Sequence, residues 1–150
     1  MDLNIVMKKI NHCIDRIYEE DGDLFDRGNY EVTISTKLAQ YLFMEFRKYD
    51  VDCEYDKHIN DEKEIIINGE KKIIRPDIAI HKRGTDEHNL VAIEIKKEQN
   101  KDRREHDYEK LCALTSNEEN YQYQLGVFID FTKRYEDRII EYFYNGGVLH

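Results

Sequence analysis

The chain has 150 residues, 40% hydrophobic and 37% charged, with a net charge of −9 at neutral pH. That length suits one domain, spanning 1–150, with a core of its own; a single proline and seven glycines argue against long disordered linkers. No run of about 18 apolar residues could cross a membrane, Asp2, Lys8 and Lys9 interrupt any signal-peptide apolar region, and Cys13, Cys53 and Cys112 have neither disulfide nor zinc spacing. The expectation is a cytoplasmic protein with reduced thiols and no membrane contact.

In chain order, Leu3, Val6, Met7, Ile10, Cys13, Ile14 and Ile17 recur at threes and fours, which predicts an amphipathic helix over 2–20. Asp21, Gly22, Asp23, Asp26 and Gly28 read as a solvated loop, without EF-hand spacing. A second helix is predicted over 33–49, with Ile34, Leu38, Tyr41, Leu42, Met44 and Phe46 as its stripe and Glu31 at its start. A first strand follows over 51–59, with Glu54 inside it. Glu64–Ile67 and the stretch from Ile73 flank Asn68-Gly69, a strong hairpin turn signal. These strands are expected to form an antiparallel meander leading to Asp77.

The central stretch is Arg75-Pro76-Asp77-Ile78-Ala79-Ile80-His81, a turn around Gly84-Thr85-Asp86, and Leu90-Val91-Ala92-Ile93-Glu94-Ile95-Lys96-Lys97. It reads as a β-hairpin. A turn centred between Thr85 and Asp86 sets Asp77 opposite Glu94, Cβ atoms roughly 5 Å apart, and Lys96 shares their face. The other face is then Ile74, Ile78, Ile80, Val91, Ile93 and Ile95, all aliphatic. One register therefore makes a core surface and gathers the polar cluster at once.

Two adjacent carboxylates repel unless a positive group lies between them. All-oxygen ligands suit Mg²⁺ or Mn²⁺, and a neighbouring lysine can orient a water or stabilise charge building on a phosphate. The alternative for Asp77, Glu94 and Lys96 is a set of surface charges on a half-exposed hairpin.

Beyond the hairpin, a helix is predicted over 101–115, with Tyr108, Leu111, Cys112 and Leu114 inward. Leu125-Gly126-Val127-Phe128-Ile129 reads as a strand buried on both faces, and the tail 138–144 as an edge strand or a short helix, with strand preferred, ended either way by Asn145-Gly146-Gly147. The acidic balance fits poorly with phosphate contacts, but Lys96, Lys97, Lys101, Arg103 and Arg104 cluster after Glu94, and Lys82 and Arg83 lie in the hairpin turn.

Pro76-Asp77 followed by Glu94-Ile95-Lys96 resembles the signature of the PD-(D/E)XK nuclease superfamily, which includes restriction endonucleases, Holliday-junction resolvases and repair nucleases. The resemblance covers about 31–131. It implies an α/β, restriction-endonuclease-like αβββαβ core: a mixed central sheet flanked by helices, here with an extra N-terminal helix. It further implies a Mg²⁺-dependent (or Mn²⁺-dependent) endonuclease hydrolysing phosphodiester bonds in nucleic acid, with DNA as the expected partner. Asp77, Glu94 and the Ile95 carbonyl would hold the metal, Glu31 would complete its shell, and Lys96 would position or activate water. Glu45 is a weaker alternative to Glu31, and Lys110 on the following helix could give polar support. Cutting both strands of a duplex would be easiest for a homodimer.

The competing reading is a catalytically inactive nuclease-like module that binds protein or nucleic acid, since fold alone does not fix function. Tyr121, Tyr123, Tyr135, Tyr142 and Tyr144 could offer it a surface.

Overall fold

A computed structural model describes the chain except residues 28–29, 54–56, 59–60, 63, 68–69, 74–75, 86, 97–102 and 118–121, and gives only the backbone of 30–31, 57–58, 61–62, 64–67, 70–73 and 103. Helix α1 (Leu3–Glu20) starts on Asp2, whose side chain accepts from Asn4 N at 2.8 Å, a normal N-cap. Val6, Ile10, Cys13, Ile14 and Ile17 are its buried stripe. The acidic stretch after it is a short 3₁₀ helix (Gly22–Asp26), pinned where Phe25 stacks on Tyr18 with ring centroids 4.8 Å apart.

Helix α2 (Tyr30–Glu45) begins and ends earlier than its sequence suggests. Ile34, Leu38, Leu42 and Phe46 run down its inner side at four-residue steps, so Met44, two positions out of phase, is exposed.

The strands are β1 (Asp50–Cys53), β2 (Lys57–His58), β3 (Asp61–Glu62), β4 (Glu64–Ile67), β5 (Glu70–Ile73), β6 (Ile78–His81), β7 (Val91–Ile95), β8 (Leu125–Asp130), β9 (Ile139–Tyr144) and β10 (Gly147–Val148), with helix α3 (Arg103–Thr115) between β7 and β8. Six of them form one mixed sheet in the order β1-β6-β7-β8-β9-β10, in which β7 and β8 are parallel and the other neighbours antiparallel.

The expected meander is not formed. β1 pairs directly with β6, while β2–β3 and β4–β5 are separate two-stranded ladders. β1 holds that place because Val51 opposes Ile80, and because Asp52 takes His81 Nε2 at 2.8 Å together with the Arg83 guanidinium. Glu54, the Asn68-Gly69 turn and Ile74 lie outside the described residues.

The hairpin register is the expected one: Ile78 opposes Ile93, Ala79 opposes Ala92 and Ile80 opposes Val91. Ile78, Ile80, Val91, Ile93 and Ile95 join Leu125, Val127 and Ile129 in the larger core, under α1 and α2. β8 is buried on both faces, as its apolar run predicts. The tail strand also forms, and Asn145 and Gly146, both at positive φ, turn it back into β10. Among the described residues no helix is long and apolar enough to cross a membrane.

The second face is covered by α3, so the half-exposed hairpin face does not occur. Ala79, Ala92, Gly126 and Phe143 are consecutive partners across β6, β7, β8 and β9. That row is small at three of its four positions, which lets Leu111 and Leu114 of α3 settle onto the sheet. A Cβ built on Gly126 would lie 3.1 Å from Phe143 Cβ, 3.2 Å from Thr115 Cγ2 and 3.3 Å from Leu111 Cδ2. The first of these atoms is fixed by the backbone of β9. Gly126→Ala should therefore destabilise by about 1–3 kcal/mol through overpacking, read as a Tm fall of roughly 2–10 °C. An unchanged Tm would mean that α3 can shift freely.

Candidate functional site

One step along the strands toward the C-terminal ends of β7 and β8, the α3 side of the sheet turns polar. Glu94 is next on β7, level with Phe128 of β8, which in turn opposes Glu141 of β9. On β6 the matching position is Asp77, just before the strand begins. Pro76 has no N–H to give a ladder, and beside it the Asp77 carboxylate, in place of a strand carbonyl, accepts from Ile95 N at 2.7 Å through Oδ2. Asp77 and Glu94 thus meet on one face, as the register requires.

Glu94 is 2% exposed. Lys110 reaches down from α3 and places Nζ 2.6 Å from Glu94 Oε1, a close ion pair whose angles fall outside those of a hydrogen bond. Burial pushes the Glu94 carboxyl well above its ordinary value, and the charge of Asp77 adds to this. Lys110 pulls it back, and Asp107, one helical turn before Lys110, raises it again.

One step further, Lys96 follows β7 and Asp130 ends β8. Lys96 N donates to Ile129 O at 2.8 Å, so the parallel pairing continues past Ile95. Lys96 Nζ lies 3.2 Å from Asp130 Oδ2, and Arg104 Nη2 lies 3.4 Å from the same oxygen. The Arg104 guanidinium also rides over the Phe128 ring, 5.6 Å from its centroid. Tyr108 packs edge-on against Phe128 and Phe143, with centroids 5.0 and 5.2 Å away. Burial and a hydrogen bond to Glu141 raise its phenol above the ordinary value.

The arrangement has two poles. Among the described residues, Asp77, Glu94 and Asp107 gather around Lys110 as an acidic pole suited to a divalent cation. Lys96 and Arg104 meet on Asp130 as a second pole, rich in cations, about 7 Å along the strand. Among the described residues no three His, Cys, Asp or Glu side chains converge as a metal-binding group. Two carboxylates and a main-chain carbonyl nonetheless fit Mg²⁺, which usually keeps several waters and takes only one or two carboxylates from the protein. A second cation beside Glu94 would oppose the burial and the Asp77 charge that together raise its carboxyl.

Of the residues expected from sequence, Asp77, Glu94 and Lys96 come together. Ile95 joins through its backbone, its side chain lying in the opposite core. Glu31 falls in the first turn of α2, whose stripe packs on that opposite face; its side chain lies outside the described residues. Glu45 is corrected: its carbonyl accepts from Lys9 and its carboxylate lies 3.9 Å from His12, so it faces α1.

Lys82 and Arg83 are corrected too. They sit beyond the opposite end of β6, roughly 17 Å along the strand from Asp77, with Lys82 over Tyr49 and Arg83 on Asp50 and Asp52. Lys97, Lys101 and the Arg103 side chain lie outside the described residues, as does Tyr121. Of the other tyrosines, Tyr123 is buried, Tyr135 and Tyr142 bond Asp15 and Asn11 of α1, and Tyr144 is exposed.

Lys110 is the residue that the sequence offered for polar support on α3; Asp130, Asp107 and the inward role of Arg104 go beyond that reading. Their signal is spacing: 104, 107–108, 111 and 114–115 share one face of α3, and Asp130 is the lone charge closing an apolar strand.

No family model matches the chain, and no curated protein or solved structure matches it either.

Proposed function

We propose that the chain is a metal-dependent nuclease of the PD-(D/E)XK type, hydrolysing phosphodiester bonds in nucleic acid, with DNA as the expected substrate. The observation that carries this reading is the pairing of Asp77 with the buried Glu94 on the face that also presents Lys96. The sheet-forming order α2, β1, β6, β7, α3, β8 supports it as well, since it follows the αβββαβ succession once the two small ladders are set aside.

Asp77, Glu94 and the Ile95 carbonyl would hold Mg²⁺ or Mn²⁺, with Glu31 the remaining candidate for the shell. The ion would polarise the phosphoryl oxygen and lower the pKa of a bound water. Lys96, two residues from Glu94 on the same face, would orient the attacking water and stabilise charge gathering on the phosphate. Lys110 is paired with Glu94, and its ammonium would move aside or share the carboxylate with a bound ion.

The test is cleavage of supercoiled plasmid, linear duplex, single strands, a four-way junction and RNA with Mg²⁺ or Mn²⁺, running wild type beside Asp77→Asn. Cutting by wild type alone supports the reading. Cutting by neither protein would sink it.

The inactive binding module is the second reading. In its favour, Glu94 is already paired with Lys110 and Lys96 with Asp130, so both motif charges have partners within the protein. Nucleic-acid or protein binding that survives Asp77→Asn, with no cleavage by either form, is the result it requires.

A further inference from the structure

Lys96, Asp130 and Arg104 form an assembly that the acidic pole does not use. Asp130 is 8% exposed, whereas the side chains of Lys96 and Arg104 are 22% and 37% exposed. The carboxylate therefore lies inside and the two cations on its solvent side, at the C-terminal ends of the parallel strands. A structural ion pair needs one cation. Here, among the described residues, one carboxylate oxygen takes two cations, which ties down two side chains that are otherwise long and mobile.

Arg104 is restrained a second time, by the Phe128 ring beneath it. A guanidinium fixed in this way presents its remaining N–H groups in a planar fork, the geometry that matches two phosphate oxygens. Phe128 is itself level with Glu94 on β7, so the fork is built on the row that carries the acidic pole.

We propose that Arg104 and Lys96 form the phosphodiester-binding cradle of the site, with Arg104 contacting non-bridging oxygens and Asp130 acting as the positioning residue that aims both cations. This rests on the nuclease reading above and assigns its substrate-backbone contact to a residue outside the Asp77–Glu94–Lys96 motif.

The experiment uses whichever nucleic acid of the cleavage panel wild type cuts fastest. Arg104→Ala should raise KM at least tenfold, with Arg104→Lys recovering only part, because a lysine lacks the fork. Asp130→Asn keeps the shape and one acceptor oxygen but loses the charge; it should lower kcat at least tenfold, and Asp130→Glu should restore part of the loss. Circular dichroism and Tm of each variant establish that it is folded.

On the non-cutting Asp77→Asn background, binding of a labelled duplex in Mg²⁺ should lose about one unit from the slope of log K against log salt when Arg104 becomes Ala. Lys8→Ala, the same charge change on exposed α1, should leave that slope unaltered. If wild type cuts while the Arg104 and Asp130 variants match it in KM, kcat and salt slope, the cradle fails and the nuclease reading stands. If wild type cuts nothing, both fail.

Discussion

Lys96→Ala is expected to lower metal-dependent cleavage by about 10²–10⁴-fold, the range associated with removing one positioned proton-transfer group or one charge-stabilising donor. The loss should fall on kcat more than on KM, because the ammonium matters most where charge develops. The fold should survive. Lys96 is a half-buried residue after the end of β7, and Asp130 keeps Arg104 as a partner when the lysine is gone. Cation binding by Asp77 and Glu94 should also persist, since Lys96 is paired with Asp130. Single-turnover cleavage together with Mg²⁺-dependent Tm shifts checks both halves. A variant that cuts at the wild-type rate would remove Lys96 from the chemistry.

The hairpin was legible because two independent patterns demand one register. Aliphatic residues at 78, 80, 91, 93 and 95 must share a face, and Asp77 and Glu94 then share the other. Gly84, at positive φ, supplies the turn between them. The run 125–129 was equally plain, since only a strand covered on both faces tolerates it.

The neighbour of β6 was not legible. β1 reaches it across nearly thirty residues, and much of its attachment is the Asp52, His81 and Arg83 cluster, whose members read singly as surface charge. The site beyond the motif was hidden for a related reason. Helix α3 buries or half-buries Arg104, Asp107 and Lys110 beside Leu111 and Leu114, so the face that meets the sheet carries the charge a sequence reader assigns to solvent. Asp130 showed only as the lone charge closing an apolar strand, because its partner Lys96 belongs to another strand and only the parallel pairing brings them level.

The Glu94–Lys110 pair gives the largest expected effect on stability. The two side chains are 3% and 13% exposed, and removing one partner of a buried pair typically costs about 3–5 kcal/mol. Lys110→Met should approach that loss only where Glu94 is ionised. Glu94 binds its proton more tightly folded than unfolded, so the native state holds the extra proton and stability falls as pH rises from the unfolded value near 4.5 through the higher folded one. Lys110 limits that fall by favouring the carboxylate.

Without Lys110 the folded value climbs further and the window extends upward in pH. The Tm of Lys110→Met should therefore lie well below wild type at pH 8 and draw close to it at pH 5. Glu94→Gln combined with Lys110→Met should recover much of the loss at pH 8, since replacing both members of a buried pair is often neutral. Saturating Mg²⁺ should raise the wild-type Tm at pH 8, as about 2.7 kcal/mol at a hundredfold excess over Kd requires, and should do nothing for the double variant. Thermal melts from pH 5 to 8, with and without Mg²⁺, read all of this. Parallel curves for wild type and Lys110→Met would show that the ammonium does not neutralise Glu94, and would leave Asp77 and Asp107 to set its charge alone.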